Sequence, residues 1–185
     1  EETLNLNLEG LKKFCENVSL YLKKGDIICL SGDLGSGKTT FSRYLINSVY
    51  KNQNKEPPNI IKSPSFPILL TYELSNFEIY HYDLYRVSKN SELIHLNIFE
   101  ELNNSITLVE WPGTILDSLQ NYSYFYIKVF HPYSNEDNES DDLIVLYSFL
   151  KTKDNSIIVE SGLSNQSYIV VNNKKSNNNT LISNA

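Results

Sequence analysis

Apolar and polar positions follow two different rhythms along this chain. Between Leu11 and Leu22, the residues Leu11, Phe14, Cys15, Val18 and Leu22 recur at helical spacing, with Lys12, Lys13 and Glu16 facing away, as in an amphipathic helix. Lys23-Lys24-Gly25-Asp26 follows, a stop signal with cations near the helix end and glycine beyond it. Ile27 to Leu30 is a short unbroken apolar run between turn residues, which suits a strand buried on both faces of a parallel sheet. A glycine-rich loop, Ser31 to Lys38, comes next. Helical spacing returns over Thr39 to Val49, with Phe41, Leu45, Ile46 and Val49 inward. Lys51 to Asn59 is polar, carries Pro57-Pro58 and reads as an exposed loop. Strands are expected over Ile68–Leu74 and Glu78–Tyr82, joined by a turn near Ser75-Asn76. One or two short helices are expected over Ser91–Leu102. A further strand, Ile106–Glu110, is ended by Trp111-Pro112-Gly113.

The last third changes character. Tyr124–Phe130 and Leu143–Leu150 are rich in aromatic and β-branched residues, and the acidic stretch Ser134–Asp142 lies between them. Ile157–Glu160 and Tyr168–Val171 read as short strands. Helix, strand, loop and helix in that order imply an α/β sheet. The late strands imply an antiparallel extension at one edge. The expected organisation is a single domain over residues 1–171. The Asn/Ser/Lys-rich residues 172–185 form a polar tail that is expected to be disordered.

Composition narrows the picture. The 185 residues, 41% of them hydrophobic, suffice for one domain with a core. A net charge of -6 supplies no global basic field for gripping a nucleic-acid backbone. DNA is therefore not an expected partner, and RNA contact is expected only through a local patch or another protein. The cysteines, Cys15 and Cys29, sit apart in apolar surroundings. They offer neither a disulfide framework nor zinc-ligand spacing, and a reducing, cytoplasmic setting is expected. No segment approaches the ~20 apolar residues that span a bilayer, so no membrane partner is expected. Glu1 to Leu8 lacks the basic flank and apolar run of a signal peptide. The chain contains no methionine, so its start is expected to be trimmed.

Gly32-Asp33-Leu34-Gly35-Ser36-Gly37-Lys38-Thr39 matches G-x-x-x-x-G-K-[ST]. A polyphosphate carries several negative charges and must be wrapped by donors. Glycines let successive backbone N–H groups turn toward one anion, and the helix that starts at Thr39 adds its positive end. Lys38 is expected to reach the β- and γ-phosphates and the Thr39 hydroxyl to bind magnesium. An apolar strand enters the loop and an amphipathic helix leaves it, which is the context the motif requires.

Such a loop needs an acid from another strand end to hold the metal and orient water. Asp83 ends the strand Glu78–Tyr82, and Glu110 ends the strand begun at Ile106. Both belong at the C-terminal edges of strands, where a parallel sheet delivers ligands. Arg86 suits an ion pair or a phosphate contact. His81 suits a polarising group or a satisfied core histidine. Trp111 suits a platform or a core residue.

Together these residues resemble the TsaE (YjeE) family, the ATPase component of bacterial tRNA threonylcarbamoyladenosine synthesis. The motifs that carry the resemblance are Gly32-Asp33-Leu34-Gly35-Ser36-Gly37-Lys38-Thr39-Thr40, Ser63-Pro64-Ser65-Phe66, His81-Tyr82-Asp83-Leu84-Tyr85-Arg86 and Glu110-Trp111-Pro112. They cover roughly residues 8 to 150. The resemblance implies a P-loop NTPase core whose sheet mixes parallel and antiparallel strands. It implies an ATPase, weak alone, that works with TsaD and TsaB on adenosine 37 of tRNAs reading ANN codons, so that tRNA is met through the complex. Glu110 would be a magnesium ligand with Thr39, Asp83 would act near the metal or the attacking water, and Ser63 to Phe66 would be a nucleotide-sensing switch. The adenine would lie near Leu8 to Gly10. Two departures stand out: Ser65 where the family usually has Thr, and Leu96-Asn97 where it often has Leu-Gly, which puts the local turn in question. Residues after about 150 receive no role.

Two other readings remain open. A small-molecule kinase normally clamps the transferred group with several arginines, whereas this chain has only Arg43 and Arg86. A nucleotide-gated assembly module would use ATP to order Ser63–Phe66, with incidental turnover. A GTPase is disfavoured because no Asn-Lys-x-Asp motif is present.

Overall fold

The structure is a computed structural model that describes residues 3–130, 144–151, 156–160 and 168–172. In chain order its elements are β1 (Thr3–Leu6), α1 (Leu8–Ser19), β2 (Ile27–Ser31), α2 (Lys38–Asn52), β3 (Leu69–Glu73), β4 (Glu78–Asp83), α3 (Asn90–His95), α4 (Ile98–Glu101), β5 (Ser105–Glu110), two 3-10 turns (Pro112–Thr114 and Leu116–Leu119), β6 (Tyr124–Phe130), β7 (Ile144–Lys151), β8 (Ser156–Glu160) and β9 (Tyr168–Asn172). The acidic stretch Ser134–Asp142 and the tail from residue 173 onward lie outside the described residues.

All nine strands form one sheet in the order β3-β4-β5-β2-β6-β7-β8-β9, and β1 lies against β7. The centre is parallel: β4 with β5, β5 with β2, and β2 with β6. The edges are antiparallel, with β3 on β4 at one side and β6, β7, β8 and β9 in succession at the other. This is the mixed P-loop α/β fold that the sequence implied, with its late antiparallel extension.

Alternation along the strands divides the core. Ile28 and Leu30 of β2, Ile106 and Leu108 of β5 and Ile79 of β4 pack with Leu11, Phe41, Leu45 and Ile46 beneath α1 and α2. Ile27, Cys29, Val109 and Tyr82 face the other way, against Leu93, Ile98, Leu102, Ile115 and Leu119. All six residues of β5 are buried. The period of two therefore sends His81, Asp83 and Glu110 to the same face as α2.

Several details differ from the sequence reading. The first helix begins at Leu8 because Asn7 accepts the Gly10 N–H through its side chain at 2.8 Å, an N-cap. It ends at Ser19, and Leu20 and Tyr21 are exposed. Strand β1 was not expected, since four alternating residues are too short a signal. Asn97 adopts φ +49° and ψ +27°. It keeps the left-handed turn that glycine would otherwise supply, which asparagine does more readily than other side chains. Asn97→Gly is therefore expected to leave stability within about 0.5 kcal/mol, and Asn97→Val to cost about 1–2 kcal/mol, read by urea denaturation.

Candidate phosphate-binding site

The loop between β2 and α2 is shaped by close backbone approach. Gly32 has φ +141°, and a Cβ there would stand 2.0 Å from the Val129 carbonyl oxygen and 2.7 Å from Ser36 Oγ. No other residue fits a position where β6 presses against the loop. Gly37, at φ +101°, turns the chain into α2 and carries no capping side chain, which leaves the helix's first N–H groups free for an anion.

Lys38 is 5% exposed. Its ammonium donates to the carbonyls of Gly32 and Asp33 at 2.8 and 2.7 Å and lies 4.0 Å from the centre of the Trp111 ring. Burial pushes it below the ordinary lysine value, while the charges of Glu110, Asp83 and Asp33 pull it back up. Ser31 Oγ and Ser36 Oγ are buried at the loop with no hydrogen-bond partner among the described residues. A strong cation, unpaired hydroxyls and free helical N–H groups suit a polyphosphate.

Glu110, 2% exposed, ends β5 with its oxygens divided. Oε2 accepts from Thr39 Oγ1 at 2.9 Å. Oε1 accepts from Ser42 Oγ at 3.3 Å and lies 2.7 Å from His81 Nε2. Asp83 is the register partner of Glu110 on the neighbouring strand. Its oxygens take the Ser65 hydroxyl at 2.7 Å and the Tyr85 N–H at 3.0 Å. The strand ends are fastened here as well: Leu84 N–H donates to Glu110 O and Trp111 N–H to Leu30 O, both at 3.0 Å. Among the described residues no three of His, Cys, Asp and Glu cluster as a metal cage. The set Thr39, Glu110 and Asp83 instead suits magnesium, which keeps waters and takes phosphate oxygens beside one or two carboxylates.

The segment Ser63–Phe66 is tied to this acid pair. Ser63 Oγ lies 2.6 Å from Ser65 Oγ, and Arg86 donates to the Phe66 carbonyl at 2.5 Å. Among the described residues Arg86 makes no ion pair, and its guanidinium turns to this segment. Phe66 is 90% exposed. Ile68, a β-branched residue, is held at φ +68°, and its carbonyl accepts the Asp83 N–H at 2.9 Å. Trp111 is also left-handed, at φ +58°, with Tyr85 4.8 Å away between ring centres. Both are strained positions beside the site.

The structure thus joins Lys38, Thr39, Asp83, Glu110, Ser65 and Trp111 around one loop. Asp33, Leu34 and Gly35 form its exposed crest, and Thr40 is half-buried in the first turn of α2. Leu8 to Gly10 form the first turn of α1. Sequence reasoning missed Ser42; its only signal was a hydroxyl one helical turn after Lys38. A separate groove of about 750 Å³ on the outer side of α1 and α2, lined by Lys12, Arg43, Tyr44, Lys51 and Pro57 among others, contains none of these site residues. Among the described residues no helix is long and apolar enough to cross a membrane.

Residues 6–139 match the family described as threonylcarbamoyl adenosine biosynthesis protein TsaE. The chain is similar to the tRNA threonylcarbamoyladenosine biosynthesis protein TsaE of Rickettsia felis, with 47% identity over 109 residues, which are 59% of this chain and 61% of that protein. It is similar to the protein of the same name from Rickettsia typhi, 43% identical over 61% of this chain and 74% of the relative. The Bacillus subtilis protein of that name is 32% identical over 62% of this chain and 68% of its own. The matches to the Rickettsia felis and Rickettsia conorii proteins span 61% of their lengths. Among solved structures, the chain is similar to the crystal structure of Bacillus subtilis YdiB, with TM-score 0.53, 25% identity, and coverage of 80% of this chain and 85% of that one.

Gly32→Ala is expected to cost about 2–3 kcal/mol of folding stability through backbone strain and overpacking. Gly113→Ala, where a Cβ would meet nothing within 4 Å, is expected to stay within about 0.5 kcal/mol. Urea denaturation of both variants checks the contrast.

Proposed function

The chain belongs to the TsaE family, and from that premise we propose that it is a magnesium-dependent, ATP-binding and ATP-hydrolysing subunit. It supports threonylcarbamoyl modification of adenosine 37 in tRNAs reading ANN codons, acting in the cytoplasm with TsaD and TsaB and meeting tRNA through them. The observation that carries the reading is the 2.9 Å contact between Thr39 and Glu110 at the mouth of the Lys38 loop. The free thiols, Cys15 and Cys29, are buried, and burial pushes both above the ordinary cysteine value, which leaves them unreactive.

In this mechanism Gly32 to Thr40 wrap the phosphates with backbone N–H groups. Lys38 exchanges its loop carbonyls for the β- and γ-phosphate oxygens. Thr39 and Glu110 would hold magnesium, with Asp83 beside them, and the ion would supply charge neutralisation. Asp83 orients the attacking water by accepting its hydrogen bond. Trp111 covers the Lys38 side of the loop and limits access of bulk water.

A second reading, a nucleotide-gated assembly module, is favoured by the 2.7 Å link from Ser65 to Asp83. A group that binds at Asp83 competes with that hydroxyl for the carboxylate and so shifts Ser63–Phe66. Gating and slow turnover are compatible in one molecule. A kinase is less well supported: the chain has only two arginines, and Arg43 donates to the Ile61 carbonyl and Arg86 to the Phe66 carbonyl.

Lys38→Ala is expected to weaken ATP binding at least ~100-fold, because it removes the charged donor to the phosphates. Glu110→Ala is expected to bind nucleotide in part and to lose magnesium-dependent hydrolysis. ATP turnover by the full chain, alone and with TsaD, TsaB and tRNA, decides the assignment. Weak activity that responds to the partners supports it. Brisk phosphoryl transfer to a small acceptor, indifferent to the partners, identifies a kinase instead.

A further inference from the structure

We infer that His81 is the positioning residue for Glu110, fixing which carboxylate oxygen faces the phosphate loop. The inference rests on the proposed nucleotide site and names the part of it that lies behind the acid.

The two oxygens of Glu110 sit in different surroundings. Oε2 meets Thr39 at the loop, whereas Oε1 is held from within by His81 Nε2 at 2.7 Å and Ser42 Oγ at 3.3 Å. Ser42 is a weak holder, because its one proton is shared with the Lys38 carbonyl at 3.1 Å. His81 is therefore the main anchor of Oε1. It is wholly buried, on the strand next to β5 and two residues before Asp83, so its ring has little freedom to turn.

A carboxylate oxygen can only accept, so His81 Nε2 is the donor to Glu110. Nδ1 of His81 is buried with no partner among the described residues, and so is the Tyr72 hydroxyl, whose ring centre is 6.5 Å from that of His81. An anchored Oε1 leaves Oε2 as the oxygen presented to Thr39 and to any metal between them. Hydrogen-bond partners that stand behind a metal ligand and orient it are typically worth about 10- to 100-fold in metal affinity. A histidine kept only to fill the core would affect folding and leave metal dependence unchanged.

Trp111 is the chain's single tryptophan and stands 4.0 Å from the Lys38 ammonium, so its fluorescence reports occupancy without turnover. ADP is titrated into the full chain with and without magnesium, and the ratio of the two affinities is the readout. His81→Leu is expected to leave the magnesium-free affinity within about twofold and to reduce the magnesium-dependent gain about 10- to 100-fold. His81→Gln, whose amide N–H reaches Glu110, is expected to keep most of the gain. His81→Asn, whose amide falls short, is expected to lose it; this pair decides the matter should His81→Leu fail to fold. Folded His81→Leu and His81→Asn proteins with the full gain overturn the inference, even where their melting temperatures fall. If Glu110→Ala loses the gain while those variants keep it, the inference fails alone. A wild-type chain with no magnesium-dependent gain removes the site reading and this inference together.

Discussion

A carboxylate with almost no access to water sits at the end of the most deeply buried strand, and the architecture around the loop follows from making it tolerable. An unpaired charge at Glu110 would cost several kcal/mol. Hydrogen bonds to a charged group contribute about 1.5–3 kcal/mol each, so donors from Thr39, Ser42 and His81 are of the right size to offset burial. Those donors come from α2 and β4, while the acid comes from β5. Satisfying one charge therefore pins a helix and two strands to a common position. That position is also where the phosphate loop ends.

The sheet order makes this convergence possible. Because β4, β5, β2 and β6 run parallel, their C-terminal ends lie along one edge. The loop leaves the middle of that edge, Glu110 and Asp83 stand on one side of it, and Val129 of β6 closes the other against Gly32. The antiparallel strands add breadth to the sheet. Ser65 is fastened to Asp83, Phe66 to Arg86, and the Ile68 carbonyl to the Asp83 N–H. Three hydrogen bonds hold this largely exposed stretch in one arrangement.

Most of the fold was legible because its signals are local. The loop motif, the apolar runs of β2 and β5 and the helical spacing of α2 each declare themselves within a dozen residues, and the acids at the ends of β4 and β5 follow from counting along a strand. Features that depend on distant partners were not legible. Nothing near Ser42 says that a carboxylate 68 residues away will meet it, nor does the sequence around His81 choose between core and site. The commitment of Arg86 to a carbonyl depends on where the segment before β3 lands. The left-handed backbone at Ile68 and Trp111 runs against residue preference and is imposed by neighbours. Asn97 shows the converse: a local preference strong enough to keep a turn after its usual glycine is gone.

The pairing of β1 with β7 bears on the order in which the chain can fold. Thr3 stands opposite Tyr147 and Leu6 opposite Ile144, so β1 waits on a strand that follows the whole parallel core in the chain. On the ribosome, α1, β2, α2, β4 and β5 emerge and can associate before the partner of β1 exists. Contacts of such sequence separation carry a large loop-closure cost and form slowly. Synthesis therefore exposes the partly built domain with one strand's hydrogen-bonding edge unmet, and closure of that edge follows assembly of the parallel core rather than starting it.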